Sequence, residues 1–454
     1  MRRVALALAA CLALAGCAAP VSEMPGRAPS LSAGLPPMKS FPVRPADPPT
    51  RSNAQIAQDF LDLSFRMESG RPLAVMSRFE GPVRVRVTGN PPPSLGPDLA
   101  ALISRLRREA GIDITRVAAD QPAEITIEVM PRARLQRMVP QAACFVAPRV
   151  SGWEEYRRVR RSPEVDWTTL ITRDRVAIFL PGDVSPQEVR DCLHEELAQA
   201  LGPLNDMYRL PDSVFNDDNF HTVLTGFDML ILRLYYAPEL RSGMTRAQVA
   251  QILPGLLARM NPRGEGRPGA PLAPTSRDWI EAIETALGAG TSAPRRRVAA
   301  ERAVTIARAR GWQDGRLAFS LFALGRLSLG EHPELALAAF LQAGEIYASR
   351  PETRIHLAHV GMHLAAFALS AGQPRAALDL ANGNIAAATR GQNAALLATL
   401  LLIKAEALDA LDRPGEARSI RQEALGWGRY GFGSDDEVRS RTEEIAALNR
   451  ARRS

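Results

Sequence analysis

Residues 185–206 read SPQEVRDCLHEELAQALGPLND, and this stretch predicts an amphipathic helix at the centre of the first folded unit. Ser185 is suited to cap the helix, Pro186 fits its first turn, and Glu188 can reach back to the amide of the cap residue. The apolar residues recur at helical spacing, which predicts that one face packs on a hydrophobic core. Those apolar positions are Leu193, Leu197, Ala200, Leu201 and Leu204.

The opposite face of the same helix is polar, because four polar residues recur at i, i+3, i+4 and i+7. They are Cys192, Glu195, Glu196 and Gln199. Two adjacent carboxylates beside a carboxamide suit a binding or catalytic site, and they suit a plain solvated face equally well. With the residues that follow the helix, the candidate polar site consists of Glu195, Gln199, Asn205 and Asp206.

This segment resembles the zinc motif of the metzincin peptidases, H-E-x-x-H-x-x-G-x-x-H, in which the glutamate is the general base. When the motif is aligned without a gap, Glu196 takes the place of the base and Gly202 that of the turn glycine. The three ligand positions hold Glu195, Gln199 and Asn205. The resemblance implies a zincin-like α+β scaffold.

Residues further along extend this resemblance. Ser213–Asn216 is similar to the methionine turn of metzincins, with Phe215 in the place of the methionine. Residues 224–228, LTGFD, then open a helix, although Thr225 and Asp228 also form an ordinary capping box. The ligand positions depart from the family, because zinc prefers imidazole, thiolate or carboxylate and amide oxygens bind it poorly. We therefore expect neither a metal nor a cofactor at this site.

The first unit is also similar, and more closely, to a bacterial family known as domain of unknown function 2927. The residues that carry this similarity are Glu195, Glu196, Gln199, Gly202, Asn205 and Asp206. The similarity implies a shared fold and says nothing about activity.

Apolar patterns outside this helix define the domain organisation. Strands are predicted near residues 83–87, 125–129 and 176–180, and helices near residues 56–67 and 99–106. The mixed helical and strand patterns predict an α+β domain at residues 51–260, and the resemblance to the metzincins implies that it is a degenerate zincin-like domain. A linker rich in Gly and Pro follows at 261–274, and an all-α domain of helical repeats at 275–454.

The helical part repeats a pattern at nearly equal intervals. Pro333, Pro374 and Pro414 each stand in a short turn, and each is followed three residues later by an alanine. The pattern resembles the tetratricopeptide repeat, which implies a concave surface for a protein or peptide partner. The best-fitting unit contains Leu324, Gly325, Ala336, Phe340 and Ala343. The interval exceeds the ~34 residues of that family, so an unrelated helical bundle remains the alternative.

The N-terminus resembles the signal of bacterial lipoproteins. A charged start and a short apolar run end in Leu14-Ala15-Gly16-Cys17, which is similar to a lipobox. The resemblance implies a signal peptide at 1–16, lipid on Cys17 and attachment to a membrane through that lipid. By the same resemblance, Ala18 after the cysteine implies the periplasmic face of the outer membrane. A plain secretory signal with an incidental cysteine is the alternative, and the proline-rich residues 17–50 predict a disordered tether.

The numbers of cysteines and of charged residues limit the possible disulfides and partners of the chain. Beyond Cys17, the mature chain contains only Cys144 and Cys192, and two thiols in an oxidising compartment are more often disulfide-bonded than separately buried. The net charge of +7 comes from arginines spread along the chain without a recognition motif, so nucleic acid is not expected as a partner.

The sequence thus predicts a lipid-anchored cell-envelope protein that acts as a binding or scaffolding module. Its protease-like domain has lost the zinc ligands, and enzymatic activity is less expected than binding. The alternative is a metal-dependent hydrolase, a peptidase, that uses Glu196 as general base with atypical ligands.

Overall fold

A five-stranded sheet forms the centre of the first unit in the computed structural model, which describes residues 34–269, 271–288 and 290–450 without the side chain of Arg450. The strands are β1 (Val83–Gly89), β2 (Ile114–Arg116), β3 (Ile125–Met130), β4 (Phe145–Pro148) and β5 (Val176–Pro181). Their order is β2-β1-β3-β5-β4, and every neighbouring pair is parallel except β4 with β5. The three strands predicted from the sequence are β1, β3 and β5, and they are confirmed.

Strand β5 is buried along its whole length, because both of its faces are covered. Val176 and Ile178 lie in the main core of the first unit, whereas Ala177 and Phe179 lie in a smaller cluster around Trp153. Side chains alternate between the two faces of a strand, so a strand covered on both sides is apolar at every position. This explains the continuous apolar run that the sequence shows here.

Seven helices surround the sheet. They are α1 (Asn53–Ser64), α2 (Leu95–Arg105), α3 (Arg132–Gln136), α4 (Trp153–Val159), α5 (Pro186–Leu201), α6 (Gly226–Tyr235) and α7 (Arg246–Met260). Ser185 caps α5 as predicted, since its hydroxyl accepts a hydrogen bond from the amide of Glu188. The prediction that the Glu188 side chain reaches back to the cap is wrong, because that carboxylate instead pairs with Arg132.

Nine further α-helices follow in the part of the chain that the structure describes. They are α8 (Arg277–Leu287), α9 (Ala293–Ala309), α10 (Gly315–Ser328), α11 (Pro333–Ala348), α12 (Arg354–Ser370), α13 (Pro374–Arg390), α14 (Ala394–Ala410), α15 (Pro414–Gly431) and α16 (Asp435–Arg450). The prediction of a mixed α and β unit followed by an all-helical unit is confirmed. Among the described residues, no helix is long and apolar enough to span a bilayer.

The repeated prolines and small residues have a structural reason. Pro333, Pro374 and Pro414 are the first residues of α11, α13 and α15, where a missing amide hydrogen costs nothing. A Cβ atom at Gly325 would lie 2.8 Å from the ring of Phe340, so glycine lets α10 and α11 approach closely. The assignment to the tetratricopeptide family remains a prediction.

The helical unit and the first unit each have a large apolar cluster, but the two are not independent. Phe220, which precedes α6, is 3% exposed and belongs to the cluster of the helical unit. The described residues from Pro36 onward form one compact unit. The domain boundaries at residues 260 and 275 remain predictions.

Part of the proline-rich segment lies against helix α15. The amide of Lys39 donates to the carbonyl oxygen of Gly426 over 3.0 Å, and the rings of Phe41 and Trp427 stack with centroids 4.3 Å apart. The composition of the predicted tether gave no indication of this contact. The predicted signal peptide and Cys17 lie outside the described residues.

Candidate functional site

The C-terminal end of helix α5 is hydrogen-bonded to a buried arginine. Arg173, which is 2% exposed, donates to the carbonyl oxygens of Gln199 and Ala200 over 2.6 and 2.7 Å, and also to that of Gly202. These are carbonyls that the last turn of a helix leaves without partners. A Cβ atom at Gly202 would lie 3.0 Å from the ring of Tyr235, so this turn needs glycine because of close packing. Sequence reasoning missed Arg173, which belongs to no motif.

The two carboxylates of α5 differ in their surroundings. Glu195 is half-buried, whereas Glu196 is only 4% exposed and its Oε2 atom has no hydrogen-bond partner. Burial and the nearby Glu68 raise the pKa of Glu195 to about 7. Burial, Glu195 and Glu68 hold the pKa of Glu196 well above its usual range. The ionised form of Glu196 is therefore disfavoured.

Two of the three positions aligned with zinc ligands form side-chain hydrogen bonds within the fold. The Gln199 side chain donates to Oδ2 of Asp206 over 3.0 Å, and the Asn205 side chain donates to the backbone carbonyl oxygen of Asp62 over 2.9 Å. The Asn205 side chain is thus bonded to helix α1. In the described part of the chain, no group of three or more His, Cys, Asp or Glu side chains could hold a metal ion. Within the candidate polar site, Gln199 and Asp206 are hydrogen-bonded to each other, and the bond that Asn205 forms is to helix α1.

His194 is a structural residue. Its side chain is 5% exposed, and its Nδ1 atom accepts a hydrogen bond from the amide of Leu224 over 3.1 Å. Burial, with Arg190 and Arg105 nearby, lowers its pKa well below the usual range. The neutral ring therefore fixes the chain just before α6.

Two acidic residues that sequence reasoning missed join this site. The amide of Glu68 donates to the carbonyl oxygen of Leu204 over 3.2 Å, which places the turn after α1 beside the end of α5. The amide of Met207 donates to the carbonyl oxygen of Phe215 over 2.9 Å, which brings the two arms of the following loop together. We call the resulting group the acidic cluster, and its members are Glu68, Glu195, Glu196, Asp206 and Asp217.

The members of the acidic cluster act on one another electrostatically. Burial raises the pKa of Asp217 to about 8, and Glu68 and Glu195 add to the increase. Burial followed by Glu195 and Asp217 holds the pKa of Asp206 well above its usual range. None of the five carboxyl groups forms an ion pair with a described basic residue, and Glu68 reaches the solvent. The carboxyl groups of the cluster therefore disfavour one another's ionised forms, whereas Arg277 acts on Glu68 in the opposite direction.

The loop that resembles a methionine turn is anchored by one carboxylate. Asp228 accepts hydrogen bonds from the Ser213 hydroxyl and from the backbone amides of Val214 and Thr225. The capping box of Thr225 and Asp228 is confirmed. Phe215, in the place of the methionine, is fully buried in the main core. Asp228 thus holds the loop and the start of α6 together.

The same loop inserts into the helical unit. The ring of Phe220 lies 4.6 Å from that of His356 and 4.7 Å from that of His359, measured between centroids. Nε2 of His356 lies 2.9 Å from Oδ2 of Asp218, and both side chains are buried. The histidines of α12 therefore hold the first unit against the helices. Sequence reasoning did not single them out.

The predicted disulfide is present. Cys144, next to β4, is bonded to Cys192 on α5, with 5.9 Å between the Cα atoms. This bond ties the antiparallel edge strand to the helix that carries the acidic cluster.

A separate cleft of about 590 Å³ lies away from the acidic cluster. It runs between residues 44–50, the start of α6 and the ends of α12 and α13. Its lining mixes basic and acidic groups, namely Arg44, Arg105, Arg354 and Arg390 with Asp47, Asp212 and Glu352.

Comparison with known proteins finds a match to one protein family. Residues 53–255 match a family described as "Protein of unknown function (DUF2927)". The match ends inside helix α7 and includes all five members of the acidic cluster. It supports the family suggested by the residues of α5 and brings no activity with it. No curated protein and no solved structure matches the chain.

Proposed function

We propose that this chain is a lipid-anchored protein of the bacterial cell envelope, on the periplasmic face of the outer membrane. Its first unit is a zincin-like scaffold without a zinc centre, and it works with the helical unit as a binding or scaffolding module. The sequence Leu14–Cys17 supports the lipid anchor. The replacement of the zinc-ligand residues by Glu195, Gln199 and Asn205 supports the loss of zinc.

The observation that carries the proposal is the use of the amides at the ligand positions. Gln199 and Asn205 donate their amide hydrogens to protein acceptors, Asp206 and the carbonyl oxygen of Asp62. These two hydrogen bonds hold the loop after α5. Both positions carry an amide where the zinc motif has an imidazole, so neither offers the nitrogen that binds the metal. A general base such as Glu196 needs a metal-bound water to activate in this class of hydrolase.

The buried contacts between the first unit and the helical unit favour a scaffolding role. Phe220 and Asp218 of the first unit are buried against α12, so the inner helices already contact the chain's own loop. Leu337 and Leu341, which share one face of α11, are exposed, and so is Leu335 elsewhere on that helix. Exposed apolar groups of this kind suit a protein partner on the helical unit.

The hydrolase remains the second candidate because of Glu196. A buried carboxyl group with a strongly raised pKa and an unpartnered oxygen is typical of acid–base catalysts as well as of structural sites. Elemental analysis of the purified full chain after dialysis, with a peptide-library cleavage assay, separates the two. We expect no stoichiometric zinc and no cleavage. One zinc per chain, with cleavage lost in Glu196→Gln, would establish the hydrolase.

The anchor has its own test. Replacing Cys17 by serine should abolish incorporation of labelled fatty acid and release the protein from membranes. Continued lipid labelling of Cys17→Ser would show that the lipid is attached elsewhere.

A further inference from the structure

The cleft of about 590 Å³ has one wall that is fixed in place. Residues 44–50 form this wall, and three of these seven residues are proline, whose ring restricts the backbone. The amide of Ala46 donates to Oε2 of Glu109 over 3.3 Å, and the carbonyl oxygen of Thr50 accepts from Nη1 of Arg267 over 2.6 Å. The wall is therefore held near both of its ends, and the cleft is preformed.

A smaller cleft of about 360 Å³ adjoins the first one. Thr50, Pro351 and Glu352 line both of them. The two clefts together form an elongated depression between the first unit and the helical unit. A ligand that lies along it can contact both units at once.

Some charged groups of the larger cleft are already compensated by partners. Nε of Arg105 lies 2.9 Å from Oε1 of Glu109, and Oδ1 of Asp212 lies 2.7 Å from Nη2 of Arg51. Paired charges largely cancel at a distance, so these groups add little to the net charge that a ligand meets.

The other charged groups of the larger cleft have no partner of their own. Within the described ranges, none of these side chains forms a hydrogen bond or an ion pair. They are the arginines Arg44, Arg354 and Arg390 and the acids Asp47 and Glu352. The three arginines are exposed, so their guanidinium groups are accessible from the cleft. Positive charge is therefore in excess.

The smaller cleft increases this excess. Its lining includes Arg267 and Arg350, which donate to backbone carbonyl oxygens and pair with no carboxylate among the described residues. The remaining basic groups of its lining, Arg51 and Arg209, are both paired with Asp59. Along the two clefts, the unpaired arginines thus outnumber the unpaired carboxylates.

Arginine without a partner selects the kind of ligand. The planar guanidinium group donates two parallel hydrogen bonds to a carboxylate or a phosphate. A doubly charged phosphate would also meet the repulsion of Asp47 and Glu352, so singly charged carboxylates fit this mixed lining better. Buried Val223, Phe227 and Ile355 supply an apolar surface for the carbon chain between the carboxylates.

We propose that the two adjoining clefts bind an organic ligand with at least two carboxylate groups, either a small polycarboxylate or an acidic peptide. Arg354 and Arg390, at the ends of α12 and α13 that line the larger cleft, bind the carboxylates, and the proline-rich wall supports the carbon chain. This inference rests on the proposed binding role of the chain and adds a site and a ligand class to it.

Calorimetric titration of the purified full chain tests this inference. The two probes are propane-1,2,3-tricarboxylate and the blocked peptide acetyl-Glu-Ala-Glu-amide, which separate a small polycarboxylate from an acidic peptide. We expect saturable binding of at least one probe, weaker at about 0.5 M than at about 0.05 M NaCl, because salt screens exposed charges. Inorganic phosphate and acetyl-Lys-Ala-Lys-amide are the control ligands, and both should bind more weakly.

Variants of opposite charge effect locate the site. Arg354→Gln/Arg390→Gln should raise the Kd about tenfold or more, because two charge-assisted hydrogen-bonding groups are lost. Glu352→Gln should lower the Kd about threefold, because it removes a repulsive charge. A variant that merely damaged the fold would not bind more tightly. Arg418→Gln is the matched control, since Arg418 is an exposed arginine of α15 outside both clefts, and its Kd should equal that of the wild type.

Three outcomes would overturn the inference. They are no saturable heat with either carboxylate probe at millimolar concentration, an unchanged Kd in Arg354→Gln/Arg390→Gln, and phosphate binding as tight as that of the carboxylates. A zinc-free chain that binds neither probe would overturn this inference alone. Stoichiometric zinc with peptide cleavage would overturn the proposed function, whatever the calorimetry shows.

Discussion

Replacing His359 and His363 by glutamine should make the protein less sensitive to acid. Both rings lie on the face of α12 that packs on other aromatic rings: His359 is 4.7 Å from Phe220, and His363 stacks on Phe340 with centroids 4.5 Å apart. Burial lowers the pKa of His359 to about 3, and the nearby His356, His363, Arg326 and His221 add to this. Burial lowers the pKa of His363 to about 4, and Arg326 adds to this.

The sign of the effect follows from these values. Each ring has a lower pKa in the folded chain than in the unfolded chain, where histidine titrates near 6.5. The unfolded chain therefore binds more protons, and stability is lost as the pH falls below about 6.5. When the pH falls from 8 to 5, each histidine lowers the free energy of unfolding by about 2 kcal/mol. The two rings interact, so we expect a joint effect of about 3–4 kcal/mol, a large share of the ~5–15 kcal/mol of a typical domain.

Urea unfolding followed by tryptophan fluorescence at pH 8 and pH 5 measures this effect. The wild type should lose about 3–4 kcal/mol more than His359→Gln/His363→Gln between the two pH values. His332→Gln is the matched control, because the side chain of His332 is 48% exposed and should leave the difference unchanged. Equal losses in the wild type and the double variant would refute the reasoning.

Three further predictions concern the interface, the disulfide and the acidic cluster. Phe220→Ala should lower the unfolding free energy by about 3–5 kcal/mol in urea titration, because a buried aromatic ring leaves a cavity. Replacing Cys144 and Cys192 together by serine should cost about 4 kcal/mol, the loop-closure entropy expected for their separation of 48 residues, as measured by thermal and urea unfolding. Glu195→Gln should stabilise the chain by about 1–3 kcal/mol at pH 8 and by much less at pH 4.5, since a pKa raised to about 7 penalises the ionised form.

Each of these has an informative contrary result. A change below 1 kcal/mol for Phe220→Ala, comparable to that of an exposed leucine such as Leu341→Ala, would mean that the loop is not held by the helices. We expect the double serine variant to be as stable as the reduced wild type. A difference between the two would mean that the substitutions act by more than the loss of the disulfide bond. A stabilisation by Glu195→Gln that is the same at both pH values would show that ionisation of Glu195 is not its cause.

Local patterns determined the secondary structure around the site. Ser185 and Thr225 were recognised as helix caps because the donor and acceptor lie within three residues of each other. The faces of α5 followed from the helical period. The disulfide followed from the count of cysteines and the expected oxidising compartment.

Tertiary structure decided which residues complete the acidic cluster. Glu68 and Asp217 belong to no motif, and they join Glu195 because backbone hydrogen bonds bring two loops to the end of α5. The sequence indicated the polar residues Gln199 and Asn205 but not their partners, since a side-chain amide can donate in many directions.

The contacts between the two units depend on tertiary structure for the same reason. Arg173 reaches the end of α5, and Phe220 enters the helical unit, only because distant segments pack together. Capping and periodicity act within a few residues, so the sequence by itself determined the elements of this protein. Long-range packing and burial decided which charged groups face one another, because desolvation and Coulomb interactions depend on distances that no local pattern encodes.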